Sequence, residues 1–372
     1  MAFYADKDYT TDQTVFEAVN QVMSGNLTLF WYDAKTEKVK GRPADPRRGL
    51  TYQDLDLGSY GYTAIPENVR TSQSMVARGS EKWGNLPDMG YVVNRKSDVW
   101  SENVTVLYEE DKTRRWTPAI DIPWSELETH PLPAPLEAAC AQLYTFLQEC
   151  ALVSMDFAAR WVPLVNQDFI EQKSWLCAQM FNWARMNEAF RKRALYGGAG
   201  LGRASASGEQ GLKEWLWADS FPKGSISINL SLGGLVLAIC RHVAAFAPSK
   251  PDRALMGYAM QDCARQTAYG LGQLRYHLAH RPGELSAIGE YVAESEHVML
   301  ALLGSPELLE PLIIIAGGGL EKEQVNSGRA AVAKFMRLAT REYFERLEAA
   351  GLKGSRARSR LTPLIERIGA AA

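Results

Sequence analysis

The long helical segments that follow residue 133 constrain the fold of this chain most strongly. In this region apolar residues recur at three- and four-residue spacing, which predicts α-helices, and prolines and glycines mark the breaks. The first four segments, of roughly 25 residues each, would form an antiparallel four-helix bundle. The predicted helices cover residues 136–165, 169–195, 226–246 and 252–280, followed by 284–303, 308–316 and 323–349.

The first 130 residues predict a different kind of structure. Apart from a short helical pattern at residues 14–23, glycines and prolines interrupt this region too often for long regular elements. Aromatic residues are nevertheless spread through it, which argues against disorder. We therefore expect an extended N-terminal arm (residues 1–130) that wraps a surface of its own chain or of a partner. A helical bundle (131–350) and a basic, solvated C-terminal tail (351–372) follow.

Composition excludes several classes of protein. The formal net charge of −2 gives no reason to expect a nucleic-acid partner. The N-terminus lacks the pattern of a signal peptide, and the apolar stretches at 230–239 and 308–316 are shorter than a bilayer span. We therefore expect a cytoplasmic protein that does not bind membranes. The five cysteines form no CxxC pair, so neither a zinc knuckle nor a disulfide framework is indicated.

The second and fourth predicted bundle helices share a short pattern. Residues 179–186 read Gln-Met-Phe-Asn-Trp-Ala-Arg-Met, and residues 260–266 read Met-Gln-Asp-Cys-Ala-Arg-Gln. Both contain an Ala-Arg step at the same place in a long helix, and another long helix precedes each of them. This pattern indicates a repeated pair of helices.

These segments resemble the ferritin-like di-iron carboxylate superfamily, which includes the bacterial multicomponent monooxygenases. The resemblance covers about residues 115–349 and includes the stretches 115–124, 188–195 and 270–278. It implies an all-α fold, namely a ferritin-like four-helix bundle with extra C-terminal helices and a long irregular N-terminal arm. In that superfamily the second and fourth helices each carry Asp-Glu-Ala-Arg-His, and the first and third helices each supply one further Glu.

The chain departs from this pattern at most ligand positions. Carried over residue by residue, the second helix has Trp183 for Glu and Met186 for His, and the fourth helix has Cys263 for Glu and Gln266 for His. The third-helix Glu falls near Gly233. An indole offers iron no acceptor atom. Only the first helix keeps a carboxylate, Glu149. We therefore expect no metal at these vestigial positions, no cofactor bound directly and no catalytic residue.

Glu294 and His297 form a Glu-x-x-His pair, which is the main rival to this interpretation. Their spacing suits a metal, but they lie in the helix after the four-helix set, and no second pair matches them. We expect a solvent-exposed helix that carries Glu290, Glu294 and Glu296. If a remodelled metal site exists, its alternative ligands are Glu149, Cys263, Glu294 and His297.

The resemblance implies a function in an oxygenase system. The hydroxylases of multicomponent monooxygenases pair an iron-bearing subunit with a related iron-free subunit that has a long N-terminal arm. The resemblance therefore implies that this chain is a pseudoenzyme, a structural or regulatory component of an oxidoreductase (monooxygenase) complex. The catalytic subunit of that complex would be the partner of this chain. The partner would carry the di-iron centre and hydroxylate a small organic substrate. The partner is a homologous oxygenase subunit or a second copy of this chain. A catalytic enzyme with a remodelled metal site and a homo-oligomeric ligand-binding protein remain as alternatives.

Overall fold

A computed structural model of the protein describes residues 8–58, 61, 64–70, 75–81, 89–364 and 367. Contacts divide the chain into two compact units, one comprising residues 1–96 and 164–170 and the other residues 97–163 and 171–372. This division assigns residues 97–130, part of the predicted arm, to the same unit as the bundle helices. The second unit contains most of the helical structure.

The described residues of the first unit have little regular structure. They include α1 (Gln13–Met23), the short α2 (Tyr52–Leu55) and a single 3-10 turn (Gln167–Phe169), and two isolated bridges pair Asn68 with Arg95 and Val93 with Val165. Polar contacts hold the loops. The carboxylate of Asp54, for example, accepts hydrogen bonds from the backbone N–H groups of Ala44 (2.9 Å) and Thr51 (2.7 Å). Irregular structure is what the frequent glycines and prolines of this region predict.

The helices that follow along the chain are α3 (Lys96–Val99), α4 (Val104–Thr113), α5 (Glu126–Thr129), α6 (Ala134–Trp161), α7 (Ile170–Tyr196), α8 (Ala206–Leu216), α9 (Phe221–Ser225), a π-helix (Ile226–Leu232), α10 (Gly233–Ala245), α11 (Lys250–His280), α12 (Leu285–Leu303), α13 (Pro306–Gly317), α14 (Lys322–Ala349) and α15 (Ser355–Arg358). The long helices α6, α7 and α10 to α14 agree with the predicted helices to within a few residues at most boundaries, whereas α3, α4, α5, α8, α9 and α15 were not predicted.

Buried ion pairs show how the bundle helices run. Arg193, near the end of α7, binds Glu137 at the start of α6 (Nη1–Oε1, 2.7 Å) and Asp252 at the start of α11 (Nε–Oδ1, 2.6 Å). Arg185, earlier in α7, binds Asp262, later in α11, at 2.7 Å. Helix α7 is therefore antiparallel to both α6 and α11, as expected for a four-helix bundle.

The third bundle helix differs from the prediction because it is continuous over α9, the π-helix and α10. All seven residues of the π-helix are buried, including the polar residue Asn229. The Asn229 side chain accepts a hydrogen bond from Gln179 Nε2 (2.6 Å) and donates one to Ser225 Oγ (3.0 Å). A π-helix is rare and often marks a functional site in other proteins. Here it lies just before Gly233, the predicted third-helix ligand position.

This continuous helix also changes the membrane prediction. The segment Phe221–Ala245 is long and apolar enough to cross a membrane, so the expectation that the apolar stretches are too short was wrong. In its most apolar window, which has a mean hydropathy of 1.5, 89% of the residues are buried inside the protein. The core helix of a globular bundle has the same properties. The bent pair Pro282–Leu303 and Pro306–Gly317 also passes the length and composition test when taken together.

Candidate functional site

The predicted ligand positions of α7 and α11 are all buried inside the helical unit, in a region called the bundle centre below. Because Arg185 contacts Asp262 across the antiparallel pair, Trp183 and Cys263 lie at the same level. Together with Met186 and Gln266, these side chains have no solvent-exposed surface. The four side chains are an indole, a thiol, a thioether and an amide, and none of them carries a negative charge at neutral pH.

Gly233 faces α11 at a neighbouring level of the bundle. A Cβ atom added there would lie 3.5 Å from Thr267 Oγ1 and 3.2 Å from the carbonyl oxygen of Ile228. A larger side chain, such as the glutamate that the resemblance places near this position, would therefore need its neighbours to move. The tighter of the two contacts is with the carbonyl of Ile228 in the preceding π-helix, so the π-helix geometry favours glycine at this position.

Glu149 is set apart from the other predicted positions. It is only partly buried, and its pKa is raised to about 7, first by desolvation and then by the negative charges of Glu209 on α8 and Glu307 on α13. These neighbours show that Glu149 faces α8 and α13. The next residue, Cys150, is fully buried and is electrostatically coupled to Cys240 and Cys263.

Three thiols therefore lie among the bundle helices, Cys150 on α6, Cys240 on α10 and Cys263 on α11. All three are fully buried, and desolvation is the largest cause of their raised pKa values, with that of Cys240 at about 12. They are protonated at neutral pH, which makes them poor nucleophiles. Only Cys263 falls at a predicted ligand position, because the spacing of residues does not show that the other two cysteines face the same region.

A buried polar network crosses the bundle beside this centre. Asp262 accepts hydrogen bonds from Arg185 Nη2 at 2.7 Å, from Trp116 Nε1 at 2.9 Å and from Arg265. Arg265 also pairs with Asp111 on α4 at 3.2 Å. Desolvation raises the pKa of Asp262, and the charges of Arg185 and Arg265 oppose that shift. The network joins α4, α7 and α11 through charges that water does not reach.

The network explains the repeated Ala-Arg step. Its two arginines, Arg185 and Arg265, occupy equivalent places in α7 and α11, and each is preceded by a network residue three positions earlier, Asn182 or Asp262. Asn182 donates to Asp111 Oδ1 (2.6 Å) and accepts from Arg185 Nη2 (2.9 Å). The repeat therefore marks a polar cluster that ties the helices together, a role that the sequence analysis did not predict.

The rival pair Glu294 and His297 lies on the protein surface. Both residues are exposed, and His297 Nε2 contacts Glu214 of α8 at 3.0 Å. The prediction of an exposed helix was wrong for Glu296, which is 2% exposed. Its carboxylate accepts hydrogen bonds from Ser359 Oγ and from the backbone N–H of Arg360. Of the four alternative ligands, only Cys263 lies in the bundle centre.

A metal centre needs several ligand side chains that converge. Within the part of the chain that the structure describes, no group of three or more His, Cys, Asp or Glu residues is placed to hold a metal ion. Asp262, next to Cys263 in the sequence, already binds two arginines, and Glu149, next to Cys150, lies close to the acidic residues of α8 and α13.

Comparison with solved structures identifies the fold. Two single-residue variants of R2-like ligand-binding oxidase, both with an aerobically reconstituted Mn/Fe cofactor, match with a TM-score of 0.51 each. Their sequence identities to this chain are 17% and 16%, and each match covers 68% of this chain and 95% of the oxidase. No protein-family model and no curated protein matches the chain. The prediction of an all-α, ferritin-like helical bundle is confirmed.

The same comparison corrects the cofactor prediction. We expected no directly bound cofactor and di-iron on a partner subunit, but the similar oxidases carry a Mn/Fe cofactor themselves. The fold thus occurs in proteins that hold their own metals. The residues of this chain do not fit such a cofactor, because Trp183, Met186, Cys263 and Gln266 supply neither carboxylate nor imidazole. The similarity to these oxidases shows the fold.

The raised pKa of Glu149 predicts a pH dependence of stability. The folded-state pKa of about 7 lies above the ordinary value of 4.5, so folding favours the protonated carboxyl. The free energy of unfolding should therefore fall as pH rises from about 5 to about 8, by about 1–2 kcal/mol after allowance for solvent screening. Glu149→Gln, which mimics the protonated form, should remove this part of the decline in urea denaturation. The exposed control Glu348→Gln should keep the wild-type dependence of the free energy of unfolding on pH. If the curve of Glu149→Gln ran parallel to that of the wild type, the raised pKa would not belong to Glu149.

Proposed function

We propose that this chain is a ferritin-like subunit of an oxygenase system and acts as the structural or regulatory partner of a catalytic subunit that hydroxylates a small organic compound. The observation that carries the proposal is the uncovered apolar face of α1 in the N-terminal arm. The shared fold of the R2-like ligand-binding oxidases supports the link to oxidase chemistry.

Helix α1 is amphipathic, and all of its side chains are exposed. Its five large apolar residues fall within an arc of about 120° on a helical wheel, whereas its polar residues occupy the opposite side. The apolar residues are Val15, Phe16, Val19, Val22 and Met23. An amphipathic helix gains most of its stability by packing this face against another surface. A partner chain would supply that surface.

The segment after α1 is also rich in exposed apolar side chains. It contains Phe30, Trp31 and Tyr32, each at least 65% exposed, together with the exposed Leu27 and Leu29. Exposed apolar patches of this kind mark interaction sites, and aromatic residues are enriched in protein interfaces. The two stretches together, residues 13–32, are called the α1 surface below.

The bundle centre supports a structural role over a catalytic one. Its thiols are protonated, Trp183 and Met186 lack acid–base chemistry, and the charges of the neighbouring network are paired. Catalytic groups usually have a pKa matched to proton transfer and access to substrate. The cysteines, four of them buried and all of them free, agree with the proposed location in a reducing cytoplasm.

Charge placed on the apolar face of α1 should abolish association and leave the fold intact. We expect Phe16→Asp combined with Val19→Asp to prevent partner binding in sedimentation velocity runs, because each aspartate would have to be desolvated at the interface. The melting temperature should stay within about 2 °C of wild type, since neither residue is buried.

A matched control places the same charges on the polar face of α1. Asn20→Asp combined with Gln21→Asp should leave both association and melting temperature unchanged. Equal loss of association in both double variants would indicate a non-specific effect of charge. If both retained association, the α1 surface would not be the interface.

A further inference from the structure

Two neighbouring cavities on the outer side of the bundle differ sharply in chemistry. The first, a groove of about 250 Å³ between α10 and α14, is lined mostly by alanine, phenylalanine and leucine. The second, a cleft of about 410 Å³ along α14 and α15, is lined mostly by arginine and lysine. Lys334 and Leu338 belong to both linings, so the apolar groove opens directly beside the basic cleft.

Small residues create the apolar groove, and aromatic rings form its walls. Ala238 and Ala245 on α10 and Ala331 on α14 leave the space between the helices open. The imidazole of His242 lies between the rings of Phe246 and Phe335, with a centroid distance of 5.1 Å to each. Flat apolar surfaces of this kind favour a compact ring system over a polar ligand.

His242 adds a hydrogen-bonding group that the described part of the protein does not use. The residue is 9% exposed, and its Nε2 atom is buried with no hydrogen-bond partner among the described residues. Burial lowers the pKa of His242 to about 4, so the imidazole is neutral at physiological pH and can either donate or accept. A buried polar atom without a partner costs stability unless a ligand or a water satisfies it.

The basic cleft supplies positive charge at the mouth of the groove. Lys334, Arg337 and Arg341 share one face of α14, and Arg356 of α15 lies opposite them. Arg341 forms only an exposed pair with Glu345, at 3.6 Å. For the other three cations, the described residues include no carboxylate within ion-pair distance. Four converging cations with so little compensation favour an anionic group.

We infer that the groove and the cleft together bind a small amphipathic organic anion. Its compact aromatic or alicyclic body would occupy the groove against His242, Phe246 and Phe335, and its carboxylate or sulfonate would contact Lys334 and Arg337. The site is separate from the bundle centre and does not depend on the proposed partner role. The groove is small compared with most ligand pockets, which limits the body to about two fused rings.

The inference can be tested by calorimetric titration of the full chain with 2-naphthoate and its neutral analogue 2-naphthalenemethanol. We expect one naphthoate to bind per chain, about tenfold more tightly than the alcohol, because only the anion gains charge-assisted hydrogen bonds. Equal affinity for both compounds, or no binding of naphthoate, would overturn the inference.

Variants separate the two halves of the site. Lys334→Gln combined with Arg337→Gln should weaken naphthoate binding about tenfold and change alcohol binding less than about twofold. Ala331→Phe, which fills the groove, should weaken both compounds by more than about tenfold. Lys322→Gln removes an exposed charge from the same helix outside the cleft, so it should change neither.

Two further outcomes would count against the inference. Unchanged naphthoate affinity in both site variants would place the binding elsewhere on the protein. Binding to phosphatidylglycerol vesicles that depends on Lys334 and Arg337, without any binding of naphthoate, would identify the cleft as a lipid-facing surface instead. The two charge-removing substitutions lie at a surface cleft, so this part of the test remains informative even if Ala331→Phe disturbs packing.

Discussion

Replacing Trp183 by Ala is expected to lower the free energy of unfolding by about 3–5 kcal/mol. The indole is fully buried at the centre of the bundle, and its Nε1 has no hydrogen-bond partner among the described residues. The loss would therefore come from packing, since removal of the indole would leave a large cavity in the core. Chemical denaturation followed by circular dichroism measures the change.

Trp217 provides the matched control for this experiment. It is 69% exposed at the end of α8, where the Arg160 guanidinium lies 4.8 Å from its ring. Trp217→Ala should cost less than about 1 kcal/mol, because exposed cation–π pairs contribute little. If Trp183→Ala cost no more than this control, the central position would not be part of a packed core.

Removing the charge of Asp262 should cost a similar amount, about 3–5 kcal/mol, for a different reason. Its carboxylate accepts hydrogen bonds from Arg185, Arg265 and Trp116 with no access to water. In Asp262→Asn the shape is kept, but two buried guanidinium groups lose their shared counter-charge. The expected result is a lower midpoint of urea denaturation with an unchanged slope.

The exposed pair of Asp219 and Lys223 is a suitable comparison for the buried network. Their side chains are 2.8 Å apart, and that of Asp219 is 71% exposed. Asp219→Asn should cost less than about 1 kcal/mol, as is usual for surface ion pairs. Equal effects of the two substitutions would show that the buried network does not carry the stability assigned to it.

Helical periodicity was sufficient to predict the long helices, because apolar residues recur along them at three- and four-residue spacing. It missed α8, which lies between the predicted helices 169–195 and 226–246. Gly208 and Gly211 look like helix breakers, yet a Cβ atom added at Gly211 would lie 2.7 Å from the side chain of Val298. Close approach of α12 therefore explains a glycine that the local sequence alone makes unfavourable.

The bundle centre was harder to predict than the helices. Helix α6 buries residues on most of its circumference, so periodicity does not reveal that Cys150, and not Glu149, faces the thiols of the other helices. The members of the polar network are spread from Asp111 to Arg265, and only the fold brings them together. The C-terminal tail also packs more than its basic composition indicates, since Leu361 is 1% exposed.

The mass of the complex that the full chain forms in its native host tests the proposed role most directly. A tagged chain would be purified beside the Phe16→Asp, Val19→Asp variant and measured by native mass spectrometry, with each component then identified under denaturing conditions. We expect the wild type in a complex with a second ferritin-like chain, and the variant alone at the mass of one tagged chain, which is 41.3 kDa plus the tag. Recovery of the wild type as a single chain of that mass would contradict the structural-partner role.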